Sequence, residues 1–229
     1  IDSIIPTTCG AENGAILIKF QQDQAGGPST ATSFEWSNGN PLQNNYNLGD
    51  GSYTISVVSG PSPFNGQMCH SAKTMTVGVR APVLQPICLV TVDTLTSTNL
   101  VVWEKVDTIG IDHYNIYREN AVAGTFMLID TVQVGSESVF NDVVASPIDR
   151  SWRYKISAVN DCGIEGPVST AHKTMHLNAI VNLGNGSNDI FWDDYEGLVE
   201  LEYIVYRHTD QNGWEALSPA VPFGTTVFN

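Results

Sequence analysis

A few side chains in this sequence could do chemistry, and their spacing decides of what kind. His172 and His176 stand four residues apart, which on a helix would bring two imidazoles within reach of one metal ion. The residues around them read as a strand, where four residues span roughly 13 Å, too far for a single zinc ion. Structural or surface histidines are therefore expected. Asp193, Asp194 and Glu196 follow Trp192 and offer the oxygen ligands that calcium takes; a solvated strand end explains the same cluster. Tyr195 and Trp214 could stack on sugar rings, or pack in a core or against an edge.

Four cysteines are present, none in a Cys-x-x-Cys pair. Cys9 and Cys69 bracket one stretch of the chain, and Cys88 and Cys162 bracket the next. One disulfide per module, Cys88–Cys162 and Cys9–Cys69, is the economical pairing in an oxidising compartment; four buried thiols are the reducing alternative. Closing the longer loop would contribute about 4 kcal/mol in the chain-entropy picture. No Gly-x-Ser-x-Gly elbow, Gly-x-x-x-x-Gly-Lys loop, His-Glu-x-x-His helix or EF-hand run occurs, and Gly184-Asn185-Gly186-Ser187 reads as a turn. The expectation is a chain that is not an enzyme and takes no cofactor or metal.

The elements that carry these residues follow from a repeat. Leu100-Val101-Val102-Trp103-Glu104 and Tyr114-Asn115-Ile116-Tyr117-Arg118 recur farther on as Ile190-Phe191-Trp192-Asp193 and Tyr203-Ile204-Val205-Tyr206-Arg207, with Trp103 and Trp192 89 positions apart. A fixed period of this size marks duplicated modules, and the period-2 alternation within each half marks half-buried strands. Trp103, Tyr114, Tyr154, Trp192 and Tyr203 are the expected core anchors, large rings that fill the space between two sheets. The fold class is thus all-β, in tandem immunoglobulin-like or fibronectin type III-like sandwiches.

The 229 residues carry a net charge of −14. The few cations are scattered, so nothing here would displace counterions from nucleic acid or dock on an anionic membrane. No apolar run is long enough to span a bilayer. The sequence begins at Ile1 with neither a signal peptide nor an initiator methionine, as expected of a processed or excised piece.

Residues 1–80 read as a separate small sandwich, with strands near 14–20, 33–37, 52–58 and 72–77, a loop at 25–29 and a turn at Asn38-Gly39. Cys9, Asn13-Gly14, Phe34-Glu35-Trp36-Ser37-Asn38-Gly39, Leu48-Gly49-Asp50-Gly51-Ser52-Tyr53-Thr54 and Cys69 resemble the SprB-type and PKD-like repeats of large bacterial surface proteins. A linker at 78–86 precedes seven expected strands near 87–92, 99–105, 113–119, 125–132, 138–143, 151–160 and 169–177. The modules are then 81–178 and 179–229. The second stops at the counterpart of Phe140, so it is expected to be incomplete and to continue in the natural protein.

Ile87 to Asp93, Asn99 to Lys105, Asp161-Cys162-Gly163 and His172 to Leu177 resemble the paired fibronectin-like modules of gliding-associated, type IX-secreted proteins of Bacteroidota-type bacteria. That resemblance implies a non-catalytic stalk, spacer or adhesin at the outer cell surface. It also implies export by the outer-membrane type IX machinery through a sorting domain absent from this chain, with surface glycans or other surface proteins as partner classes. Ser3, Thr94, Thr108 and Thr131 each sit in an Asp-Ser/Thr-aliphatic signal that exported proteins of this group glycosylate; turn and capping roles explain the same residues. The alternative is the accessory β-sandwich region of a secreted hydrolase whose catalytic domain lies elsewhere.

Overall fold

A computed structural model describes residues 3–19, 32–60, 66–184, 186–199 and 202–228. The chain divides into two compact units, Ile1–Ala81 and Pro82–Asn229, and no helix forms among the described residues.

The first unit contains β1 (Ser3–Ile5), β2 (Gly14–Leu17), β3 (Thr32–Trp36), β4 (Asn45–Leu48), β5 (Gly51–Ser59) and β6 (Cys69–Val77). They form two antiparallel three-stranded sheets, ordered β1-β2-β4 and β3-β5-β6. Ile16, Trp36, Leu48, Ile55, Met75 and Val77 make the core. Trp36 is buried because its Nε1–H is satisfied by the Leu42 carbonyl at 2.9 Å. At Gly14 the sheets approach so closely that a Cβ would stand 2.8 Å from Val77 Cγ1, so only glycine fits. The expected loop at 25–29 lies outside the described residues. Strands β1 and β4 were not expected; β4 reads Asn-Tyr-Asn-Leu, with buried Asn45 satisfied by Asn38 and Asn40 side chains rather than by apolar packing.

In the second unit, the first copy of the repeat comprises β7 (Ile87–Asp93), β8 (Thr98–Trp103), β9 (Ile111–Glu119), β10 (Phe126–Gln133), β11 (Val139–Asp142), β12 (Arg153–Asn160) and β13 (His172–Lys173). Sheet β11-β8-β7 faces sheet β10-β9-β12-β13, every neighbour antiparallel. Three strands against four is the layout of immunoglobulin-like and fibronectin type III-like sandwiches. Its core gathers Ile87, Val90, Val101, Trp103, Ile111, Tyr114, Ile116, Tyr154, Ile156 and Ala158. The strand expected at 169–177 shrinks to His172–Lys173. Before it, the Ser169 hydroxyl rather than a strand carbonyl accepts the Ile156 N–H at 3.0 Å, and Pro167 has no N–H to give.

The second copy contains β14 (Leu177–Asn182), β15 (Ser187–Trp192), β16 (Glu202–Tyr203), β17 (Tyr206–Thr209), β18 (Gly213–Ala216), β19 (Val221–Pro222) and β20 (Val227–Phe228). The repeat is visible in the pairing itself. Ala179 faces Ile190 as Val90 faces Val101, and Tyr203 faces Val221 as Tyr114 faces Val132, each 89 residues on. In the first copy β9 has β10 on one side and β12 on the other. Among the described residues, β16 and β17 each pair on one side only.

Candidate functional site

One polar network of the second unit lies at the junction of its two copies. The segment between β15 and β16 turns back onto the first sandwich, where Glu196 forms an isolated antiparallel bridge with Lys173, its carbonyl accepting the Lys173 N–H at 3.0 Å. That contact extends the edge of β13 by one residue. It also carries the preceding side chain, Tyr195, in between β13 and β7.

Tyr195 is only 5% exposed. Its hydroxyl oxygen accepts the Val90 N–H at 2.9 Å and lies 2.9 Å from His172 Nδ1. The two rings meet edge to face with centroids 5.8 Å apart, a favoured aromatic geometry. Burial pushes the Tyr195 phenol up and the His172 imidazole down, since each charged form would lose its water. Gly197 has φ +111°, a conformation open chiefly to glycine, and a Cβ built there would overlap the His172 ring.

Beside this contact lies an ion cluster. Arg153 on β12 donates from Nε and Nη2 to the two carboxylate oxygens of Glu196, and from Nη1 to Glu119 at 2.9 Å. Lys173 Nζ reaches Glu196 at 3.1 Å. The Arg153 guanidinium, helped by Lys173 and opposed by burial, holds the Glu196 carboxyl down to about 2. The fork geometry of guanidinium on carboxylate fixes orientation as well as position.

A second buried network lies inside the first copy. Asp142, 2% exposed, accepts from Arg118 Nη1 at 2.6 Å and from the Tyr154 hydroxyl at 2.9 Å, and takes the Val144 and Ala145 amides. Burial alone would raise this carboxyl, but Arg118, Tyr154 and the two amides hold it below its ordinary value. Asn99 Nδ2 donates to the Tyr154 hydroxyl, so Tyr154 is positioned from both sides.

The residues singled out from the sequence fall as follows. Trp103, Tyr114, Tyr154 and Trp192 are buried, and Tyr203 is half-buried with its ring against Trp192. His172 and His176 are not brought together: His172 is buried against Tyr195, and His176 Nε2 lies 2.7 Å from the Ile148 carbonyl. Asp193, Asp194 and Glu196 do not converge either, since Glu196 goes to Arg153 and Asp194 accepts from the Tyr203 hydroxyl. Among the described residues, no group of three His, Cys, Asp or Glu could hold a metal ion. Tyr195 is not an exposed platform; Trp214 is 66% exposed, beside the His208 ring. Ser3, Thr94, Thr108 and Thr131 are all exposed, with Ser3 in β1 and Thr131 in β10.

The expected Cys88–Cys162 disulfide is corrected. Cys9 and Cys162 are disulfide-bonded, and Cys88 is a free, exposed thiol. The reason on the Cys88 side is local. A register shift between Ile87 and Leu89 breaks the inward alternation of β7 and leaves Cys88 exposed. The side chain of Cys69 lies outside the described residues.

Sequence reasoning did not pick out Arg153, Glu119, Lys173 or Gly197. One signal was available. At the 89-residue offset Tyr195, Glu196 and Gly197 stand where the first copy has Val106, Asp107 and Thr108, so the repeat loses its likeness at the segment that makes the junction.

No family model matches the chain, and no curated protein matches it. Solved structures do match. A Fn3-like protein from Clostridium thermocellum is 22% identical over 41% of this chain and 88% of its own, with a TM-score of 0.31. The FN1–FN3 domains of chicken CNTN1 are 11% identical over 99% of this chain and 85% of theirs, with a TM-score of 0.39. A two-domain fibronectin type III segment of chicken tenascin is 15% identical over 75% of this chain and 95% of its own, also at 0.39.

Proposed function

We propose that this chain is a non-enzymatic, extracellular, multidomain segment of a type IX-secreted cell-surface protein, acting as a stalk, spacer or adhesin. Its parts are a SprB/PKD-like repeat at 1–80 and fibronectin type III-like modules at 81–178 and 179–229. The observation that carries this reading is the junction built from Tyr195, His172, Arg153 and Glu196. Its side chains are committed to joining one copy to the other rather than to a substrate, and a fastened joint is what a spacer needs to transmit force or hold a reach. The disulfide-bonded Cys9 and Cys162 suit an oxidising location.

On this reading the partners are the outer-membrane secretion machinery, met through a sorting domain, and surface glycans or neighbouring surface proteins. Exposed Ser3, Thr94, Thr108 and Thr131 are the O-glycosylation candidates. Protease treatment of intact cells tests the proposal. Loss of the segment, detected by an antibody to residues 82–229, is the expected result. Survival in intact cells with loss only after lysis would overturn it.

A further inference from the structure

Tyr195 has a single hydroxyl proton, and the geometry assigns it. The oxygen accepts the Val90 N–H, and His172 Nδ1 is its one other hydrogen-bond partner among the described residues, so the buried hydroxyl satisfies its own proton by pointing it there. A phenol that donates to Nδ1 needs that nitrogen bare. His172 is therefore neutral, with its proton on Nε2. The ring is 3% exposed, held between the Tyr195 ring and the Gly197 backbone.

The groups around it offer an imidazolium no compensation. The nearest element of the other sheet, β7, brings the Cys88 thiol. Strand β12 brings Arg153 and β13 brings Lys173, both cations. The second copy brings the Tyr195 phenol and Glu196, whose carboxylate is already held by Arg153 and Lys173. Glu119 of β9 is held by Arg153 in turn. A proton on Nδ1 would set two donors facing each other across 2.9 Å, or strand the phenol proton in a buried site.

We propose that His172 is an acid-operated latch, whose protonation expels Tyr195 and releases the second copy of the repeat from the first. The sign follows from proton binding. Burial lowers the docked ring's pKa below the ordinary imidazole value of 6.5, which an undocked, solvated ring would take, so the docked form binds fewer protons. Docking is at full strength above that value and weakens about tenfold for each pH unit below it, until the docked ring also protonates. The ion pairs do not share this window, because Glu196 is held down to about 2.

Amide hydrogen exchange of the full chain between pH 7.5 and 5, corrected for intrinsic rates, tests the latch. Protection of the Val90 and Lys173 amides, whose acceptors are the Tyr195 hydroxyl and the Glu196 carbonyl, is expected to fall by up to tenfold per unit below pH 6.5. Protection of Ile156 should hold. In His172→Gln the dependence is expected to flatten, and in His176→Gln to persist. A flat profile in the unsubstituted protein, the same fall in His172→Gln, or a flat one in His176→Gln would overturn the proposal. Imidazole NMR gives a readout free of any variant: the Nε2–H tautomer is expected at pH 7.5, and an Nδ1–H tautomer would contradict the latch.

Discussion

Arg153 grips Glu196 through two hydrogen bonds of 2.6 Å, from Nε to Oε2 and from Nη2 to Oε1. The two residues are 43 positions apart and belong to different copies of the repeat, so the pair forms only when the copies are docked.

Replacing Glu196 with glutamine should therefore weaken the second unit in a pH-dependent way. The Glu196 pKa is depressed on folding, so its contribution is complete above the ordinary carboxylate range and disappears as pH falls toward about 2. Because this carboxylate is more than a third exposed, solvent screening limits the loss to about 1 kcal/mol at neutral pH. Urea unfolding of Glu196→Gln against the parent at pH 7 and near pH 2 checks both ends; the difference should vanish at the acid end.

Gly197→Ala should be the more damaging change despite its smaller chemistry. It places a Cβ in the His172 ring at a backbone φ of +111°, and strain with overlap of this kind costs on the order of 2 to 4 kcal/mol. Exchange of the Val90 amide is the local readout. It should accelerate in Gly197→Ala while amides of the β9–β12 ladder keep their protection.

Tyr195→Phe keeps the ring and removes the oxygen. The Val90 N–H and His172 Nδ1 each lose their buried partner, a loss of roughly 1 to 3 kcal/mol. Denaturant titration followed by tryptophan fluorescence measures it.

Alkylation without reductant should label Cys88 and leave Cys9 and Cys162 unlabelled until a reductant is added, as peptide mapping by mass spectrometry would show. A Cys88 that resists labelling until reduction would restore the pairing expected from the sequence.

Removing the buried carboxylate with Asp142→Ala should be severe, about 3 to 5 kcal/mol, because Arg118 and the Tyr154 hydroxyl are left facing an empty, nearly dry site. The thermal midpoint of the second unit is the measurement.

The all-β class and the duplicated strands were legible because rings and alternation repeat: Trp103 and Trp192 are buried at matching positions of β8 and β15. What escaped is what does not repeat. Strand β4 carries its inward Asn45 on hydrogen bonds, so no apolar alternation announces it. Cys88 looked like a partner for Cys162 because the two bracket one module, and bracketing is blind to the bulge at Ile87 and Leu89 that turns Cys88 outward. For Tyr195 both a stacking platform and edge packing stood open, because nothing in a linear pattern says that a loop of one copy closes on the edge of another.

Strand β7 lies at the border of its sheet, with β8 on one side only. An exposed border of this kind is a template on which a stray strand from another molecule can add. The Tyr195 hydroxyl holds the Val90 amide near the middle of that border, with a ring where an incoming backbone would have to lie. Loss of the phenol, by substitution or by undocking, should thus do more than loosen a joint. It would bare a sticky margin, and concentrated protein should then form sheet-linked aggregate.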